Sequence, residues 1–204
     1  MPLFIQSLFN APVYYFTWIL FVMFSICAHE FAHAATADSL GDRTPRMLGY
    51  MSLDPRKTMG GSAILCLLLF GITWGAVPIT RENLRRAWHA SLIALAGPAA
   101  NFALLLLFAA LSSLVSKQET LQRFFATGCQ VNSLLAIFNL LPIPGLDGWA
   151  ALSSILPPLQ RIPSRLHGAI SLAGLLAIWF TPLHALLWRA ILSLHIWAMN
   201  LIPF

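Results

Sequence analysis

Charge is what this sequence has least of. Only 9% of its 204 residues are Asp, Glu, Lys or Arg. A soluble domain carries about 25%, because its surface must face water. A single water-facing globule is therefore excluded. The formal net charge is +5, from 12 Lys and Arg against 7 Asp and Glu. Those cations are too sparse to track a phosphate backbone, so nucleic acid is excluded as a partner. A hydrophobic content of 58% excludes intrinsic disorder. Cysteine is scarce as well. Cys27, Cys66 and Cys129 all lie in apolar runs. They read as small buried hydrophobes, with no disulfide framework and no metal cluster. The class that remains is an integral membrane protein, in which the excess of Lys and Arg reads as topology.

The uncharged stretches locate the membrane. No charge falls between Met1 and Ala28, and further uncharged runs cover residues 61–80, 90–116 and 124–146. Residues 166–204 hold one charge, Arg189. At about 20 apolar residues per span, helices are predicted over residues 13–37 and 90–116. A third runs from 124 to about 141, stopped by Pro142 and Pro144. The tail breaks at Thr181-Pro182 into segments near 166–180 and 183–202. Residues 1–12 lack the basic start and cleavage site of a signal peptide and are expected to be retained. The expected architecture is an all-α polytopic membrane protein. It is a compact bundle of about 5–6 membrane segments, one of them re-entrant. Short surface strands are expected near 46–53 and 74–80. One domain covers 1–204, with a catalytic core over about 13–156 and C-terminal membrane segments over about 166–204.

His29-Glu30-Phe31-Ala32-His33 is an H-E-x-x-H sequence. On a helix, residues i and i+4 differ by about 40° in azimuth and 6 Å in rise. Both imidazoles can therefore hold one Zn²⁺. Glu30 lies about 100° round from His29, where it can act as general base on the metal's water. A carboxylate following 28 uncharged residues is costly in a bilayer unless a cation compensates it. Two histidines leave a catalytic zinc one protein ligand short. The candidates are Asp147, His89, His167, His184, His195 and the cysteines. Asp147 stands out as the only acid after Glu119. It sits among Pro142, Pro144, Gly145 and Gly148, in irregular backbone of the kind that lines a polar cavity at membrane depth. The alternative for Asp147 is a simple helix cap.

Three motifs carry a family resemblance: HEFAH, then Ala96-Gly97-Pro98-Ala99-Ala100-Asn101, then Asn139-Leu-Leu-Pro-Ile-Pro-Gly-Leu-Asp147-Gly148. In order and spacing the sequence resembles the site-2 protease family, the M50 intramembrane zinc metalloproteases. The stretch from Gly41-Asp42 to Asp54-Pro55 resembles its compact bacterial branch. The likeness covers about residues 20–156. It implies one zinc per chain, held by His29, His33 and Asp147, with Glu30 as catalytic base. It implies that Asn139 lies near the site and supports substrate. Asn101 is expected to form an interhelical hydrogen bond. The sequence departs from the branch just after Pro55, where residues 56–60 hold no His or Asp, and at 74–78, where no Lys-Pro occurs.

Topology follows from ligand parity. With one crossing each for 90–116 and 124–141, His29, His33 and Asp147 are expected to meet with residues 61–80 entering the membrane and returning; the alternative is a full span there with a break in 90–116. The site side then carries nine of the 12 Lys and Arg, with Lys117, Arg123 and Arg189 on the other. By the positive-inside bias the active site is nearer the cytoplasm of a cell membrane, in a multi-pass chain. The expected function is hydrolysis of peptide bonds in a transmembrane or membrane-associated protein substrate. The alternative is a non-catalytic membrane metal-binding or transport protein that uses the same His/His/Asp site.

Overall fold

The computed structural model describes residues 3–201. Its long helices are α1 (Pro12–Ser39), α2 (Gly60–Phe70), α3 (Ala87–Leu114), α4 (Glu119–Asn139), α5 (Asp147–Ile155), α6 (Ser164–Phe180) and α7 (Leu183–Leu201). Single helical turns lie between them. Among the described residues α1 and α3 are long and apolar enough to cross a membrane, and α6 with α7 forms a pair bent by 81°. Helix α4 has 21 residues. It carries Gln122, Arg123, Gln130, Asn132 and Ser133 and falls short of that apolarity.

Helix α1 starts with Pro12 in its first turn, where the missing N–H costs no bond. Tyr15, Ile19, Val22, Ile26, His29, His33 and Ala37 are buried at helical spacing and form one stripe. The two histidines of the motif continue the apolar stripe that packs the core. Val13, Phe16, Leu20, Phe24 and Phe31 are exposed, as expected of a face that meets lipid tails. Phe21 packs against Phe108 and Phe124, each at 4.8 Å between ring centroids. That contact joins α1 to α3 and α4.

No strand occurs among the described residues, which corrects the expectation of strands near 46–53 and 74–80. Thr44–Met47 is a helical turn closed by local hydrogen bonds. The chain over 72–80 forms no regular element, and its inter-segment backbone bond is Ala76 N–H to the Thr58 carbonyl, at 2.9 Å. A ladder needs a partner strand, and none lies beside it.

Residues 61–80 run out along α1 and come back to the end of the bundle they left. Helix α2 has 11 residues, about 16 Å, roughly half a bilayer core. It begins at the level of Cys27, whose Sγ lies 3.3 Å from Thr58 Oγ1. It ends where Tyr15 Oη donates to the Leu68 carbonyl (2.9 Å) and Trp18 Nε1 to the Gly71 carbonyl (2.8 Å). The chain then doubles back, past Glu30 at Gly75, and reaches Asp42 at Thr80.

Asp42 fastens the returning end. It is fully buried and accepts from Thr44 N–H (3.1 Å), Thr44 Oγ1 (2.5 Å), Thr80 N–H (2.7 Å) and Asn83 Nδ2 (2.9 Å). Burial alone would raise this carboxyl. The donors from Thr44, Asn83 and Thr80 outweigh it and hold the group below the ordinary range.

Candidate metal centre

Helix geometry turns both motif histidines to one side of α1, and α5 supplies a carboxylate opposite them. His29 Nε2 lies 2.9 Å from Asp147 Oδ2, His33 Nε2 lies 3.3 Å from Asp147 Oδ1, and the two Nε2 atoms are 3.0 Å apart. Four ligands held tetrahedrally at 2.0–2.1 Å from zinc would lie roughly 3.3 Å from one another. The observed separations fall close to that. His29, Glu30 and His33 are buried, and Asp147 is partly exposed.

The protonation of the imidazoles is dictated by their far sides. His33 Nδ1–H donates to the Ile93 carbonyl at 2.6 Å. That oxygen can only accept, so in the neutral ring His33 Nε2 presents a lone pair. His29 is set by a longer chain. The Gly128 carbonyl accepts from Asn132 Nδ2 (2.9 Å), which also donates to Ser25 Oγ (2.9 Å). Asn132 Oδ1 therefore faces Asn101 and accepts from its Nδ2 at 3.0 Å. Asn101 Oδ1 in turn accepts His29 Nδ1–H at 2.6 Å. Three lone-pair donors thus converge, and Asp147 Oδ2 is buried without a hydrogen-bond partner. Its contact to His29 Nε2 holds no proton in this arrangement. A dication satisfies all three groups at once, so the donor set fits zinc.

Two glycines make room for this cluster. A Cβ at Gly97 of α3 would lie under 3.0 Å from the Nε2 atoms of both histidines. A Cβ at Gly75 would lie under 3.0 Å from the Glu30 carboxyl carbon. The backbone of 72–80 therefore rests directly on the acid. Gly148 lets α5 start against the Leu140 carbonyl, so the chain leaving α4 drops back and carries Asp147 to the histidines.

The structure brings together His29, His33 and Asp147 as one candidate metal-ligand group, with Glu30 lining the same cavity of about 300 Å³. Asn139 does not join them. It is the last residue of α4, and its Nδ2 donates to the Leu135 carbonyl at 3.0 Å, which keeps the side chain along its own helix. His89, His167, His184, His195 and the cysteines stay outside the group. Asn132, Ser25, Gly75 and the Ile93 carbonyl lie outside every motif read from the sequence, and Gly97 had no role there beyond its motif. The available signal was polarity: Asn132 and Ser133 interrupt an otherwise apolar run, and membrane helices use such residues against one another.

Fold and site together define a helical membrane-type protein with a His/His/Asp group able to hold a metal and an adjacent buried glutamate. Residues 17–118, half of the chain, match peptidase family M50. The chain belongs to that family, the site-2 protease family. It is 30% identical over 176 residues to "Putative zinc metalloprotease YwhC" of Bacillus subtilis (strain 168), covering 81% of this chain and 80% of the relative. It is 33% identical over 168 residues to "Putative zinc metalloprotease Rip2" of Mycobacterium tuberculosis (strain ATCC 25618 / H37Rv), covering 78% of this chain and 64% of the relative. No solved structure matches the chain.

Proposed function

We propose that this protein is a zinc metalloendopeptidase that cleaves transmembrane or membrane-associated protein substrates. In this reading it is a multi-pass protein of the cell membrane, with its active site toward the cytoplasm and one zinc per chain. The observation that carries the reading is the convergence of His29, His33 and Asp147 beside Glu30, in a chain of the M50 family. The names of its relatives, YwhC and Rip2, describe the same chemistry.

Bound zinc supplies Lewis acidity to a water and to the scissile carbonyl. Everything else belongs to the chain. The Asn101 and Ile93 oxygens hold the two Nδ1 protons and turn both Nε2 atoms inward. Glu30 takes the proton of the attacking water and passes it to the leaving amine. The 72–80 stretch covers Glu30 at Gly75, and the cavity beside it admits water and an extended peptide. A substrate helix has to unwind there, because an intact helix buries its carbonyls in its own hydrogen bonds.

The cytoplasmic placement rests on the loops at the end of the bundle where the site lies. Arg43, Arg46, Arg56, Lys57, Arg81, Arg85 and Arg86 all lie in them. The test is metal analysis combined with cleavage of a model transmembrane helix. Glu30→Gln is expected to retain zinc and lose at least about 100-fold in rate, the usual contribution of a general base. Cleavage within about tenfold of wild type would refute the assignment. Metal flux into vesicles without proteolysis would favour the transport reading.

A further inference from the structure

The metal cavity does not end at Asp147. It adjoins a larger cavity of about 640 Å³, and the two share Arg81, Ala90, Gly145, Asp147 and Ala150 in their walls. The larger one runs between the 81–86 stretch, α5 and the start of α6. Its titratable lining is lopsided: Arg81, Arg86 and His167 against the single acid Asp147. Asp147 is committed to the metal set. Arg81 and Arg86 are both exposed and have no ion-pair partner among the described residues, whose salt bridges all lie elsewhere. Arg86 instead lies over the Trp88 ring at 5.8 Å. His167 Nε2 is buried without a hydrogen-bond partner, its ring edge-on to Trp149. Glu82, between the arginines in sequence, lines neither cavity.

We infer that this second cavity receives the polypeptide flanking the scissile bond, and that Arg81 and Arg86 select acidic side chains in that flank. The inference rests on the proteolytic reading above. A polypeptide seated at the metal site must continue through open space, and the larger cavity is the space that adjoins it. Unpaired guanidinium groups at its wall attract Asp and Glu and repel Lys and Arg. The repulsion matters as much as the attraction. Most membrane segments carry Lys or Arg on their cytoplasmic flank. An electropositive cavity on that side therefore discriminates against the common run of segments and favours the minority with an acidic flank.

The test uses the full chain in lipid nanodiscs and three model transmembrane peptides, alike except for Glu-Glu, Ser-Ser or Lys-Lys in the cytoplasmic flank. Values of kcat/KM should fall in the order Glu, Ser, Lys, with roughly tenfold between the extremes. The spread should shrink at about 0.5 M salt. The double variant Arg81→Glu/Arg86→Glu, with its zinc content checked, should reverse the order, and Arg81→Lys/Arg86→Lys should keep it. Equal rates for the three flanks, or an order unchanged by the charge reversal, would overturn the inference. Binding of the same peptides to Glu30→Gln, read by fluorescence anisotropy, keeps the two readings apart. If wild type cleaves nothing, the proteolytic reading falls, while charge-ordered binding that reverses in Glu30→Gln/Arg81→Glu/Arg86→Glu still supports the cavity's role. If cleavage occurs but binding ignores charge, the reverse holds.

Discussion

Replacing Asn101 by alanine tests how the metal site is held. The change removes the acceptor of His29 Nδ1–H and the donor to Asn132 Oδ1, both fully inside the bundle. With no acceptor on its far side, the His29 proton is better placed on Nε2, where Asp147 Oδ2 at 2.9 Å accepts it. That tautomer cannot ligate zinc. Loss of an outer hydrogen-bond partner of a metal-bound histidine typically costs 10–100-fold in affinity, or about 1.4–2.7 kcal/mol. Leaving Asn132 Oδ1 unpaired adds about 1–3 kcal/mol of lost fold stability. The assay is zinc affinity by chelator competition on the folded fraction, with ¹⁵N histidine spectra of the metal-free protein reporting the tautomer. Asn101→Asp separates the two effects. It keeps an acceptor for His29 but loses the donor to Asn132, so it should bind zinc within about tenfold of wild type while losing stability much as alanine does. A folded Asn101→Ala protein that binds zinc within about twofold of wild type would refute the orienting role.

Two further outcomes follow from the same packing. Gly97→Ala drives a methyl group against both ligating nitrogens, and their Nδ1 bonds leave them no room to retreat. It should reduce zinc occupancy with little change in helix content by circular dichroism, and full occupancy would count against the close approach. Cysteines at Lys57 and Glu82, both exposed, should react with an impermeant thiol reagent from the cytoplasmic face alone, in a background lacking the native cysteines. Labelling from opposite faces would show that 61–80 spans the membrane.

What was legible in the sequence is what depends on neighbours along one helix. The HEFAH spacing defines a ligand pair because i and i+4 share a face whatever surrounds the helix. The uncharged runs outline α1, α3 and the tail segments because lipid excludes charge along the whole of a span. Ligand parity asked that 61–80 come back to the end it left, and the chain doubles back there between Thr58 and Thr80. Tertiary structure decided the rest. Asp147 reaches the histidines because Gly148 lets α5 start against α4, and spacing along the chain could not separate it from the other candidates. Asn139 shared its motif with Asp147, but its own helix claimed its amide. Neither 46–53 nor 74–80 is a strand: the first begins in a helical turn, and the second has no partner strand alongside. The protonation of His29 depends on Gly128, about a hundred residues away in sequence. A hydrogen-bond chain through Asn132 and Asn101 is a property of three packed helices, and no single segment encodes it.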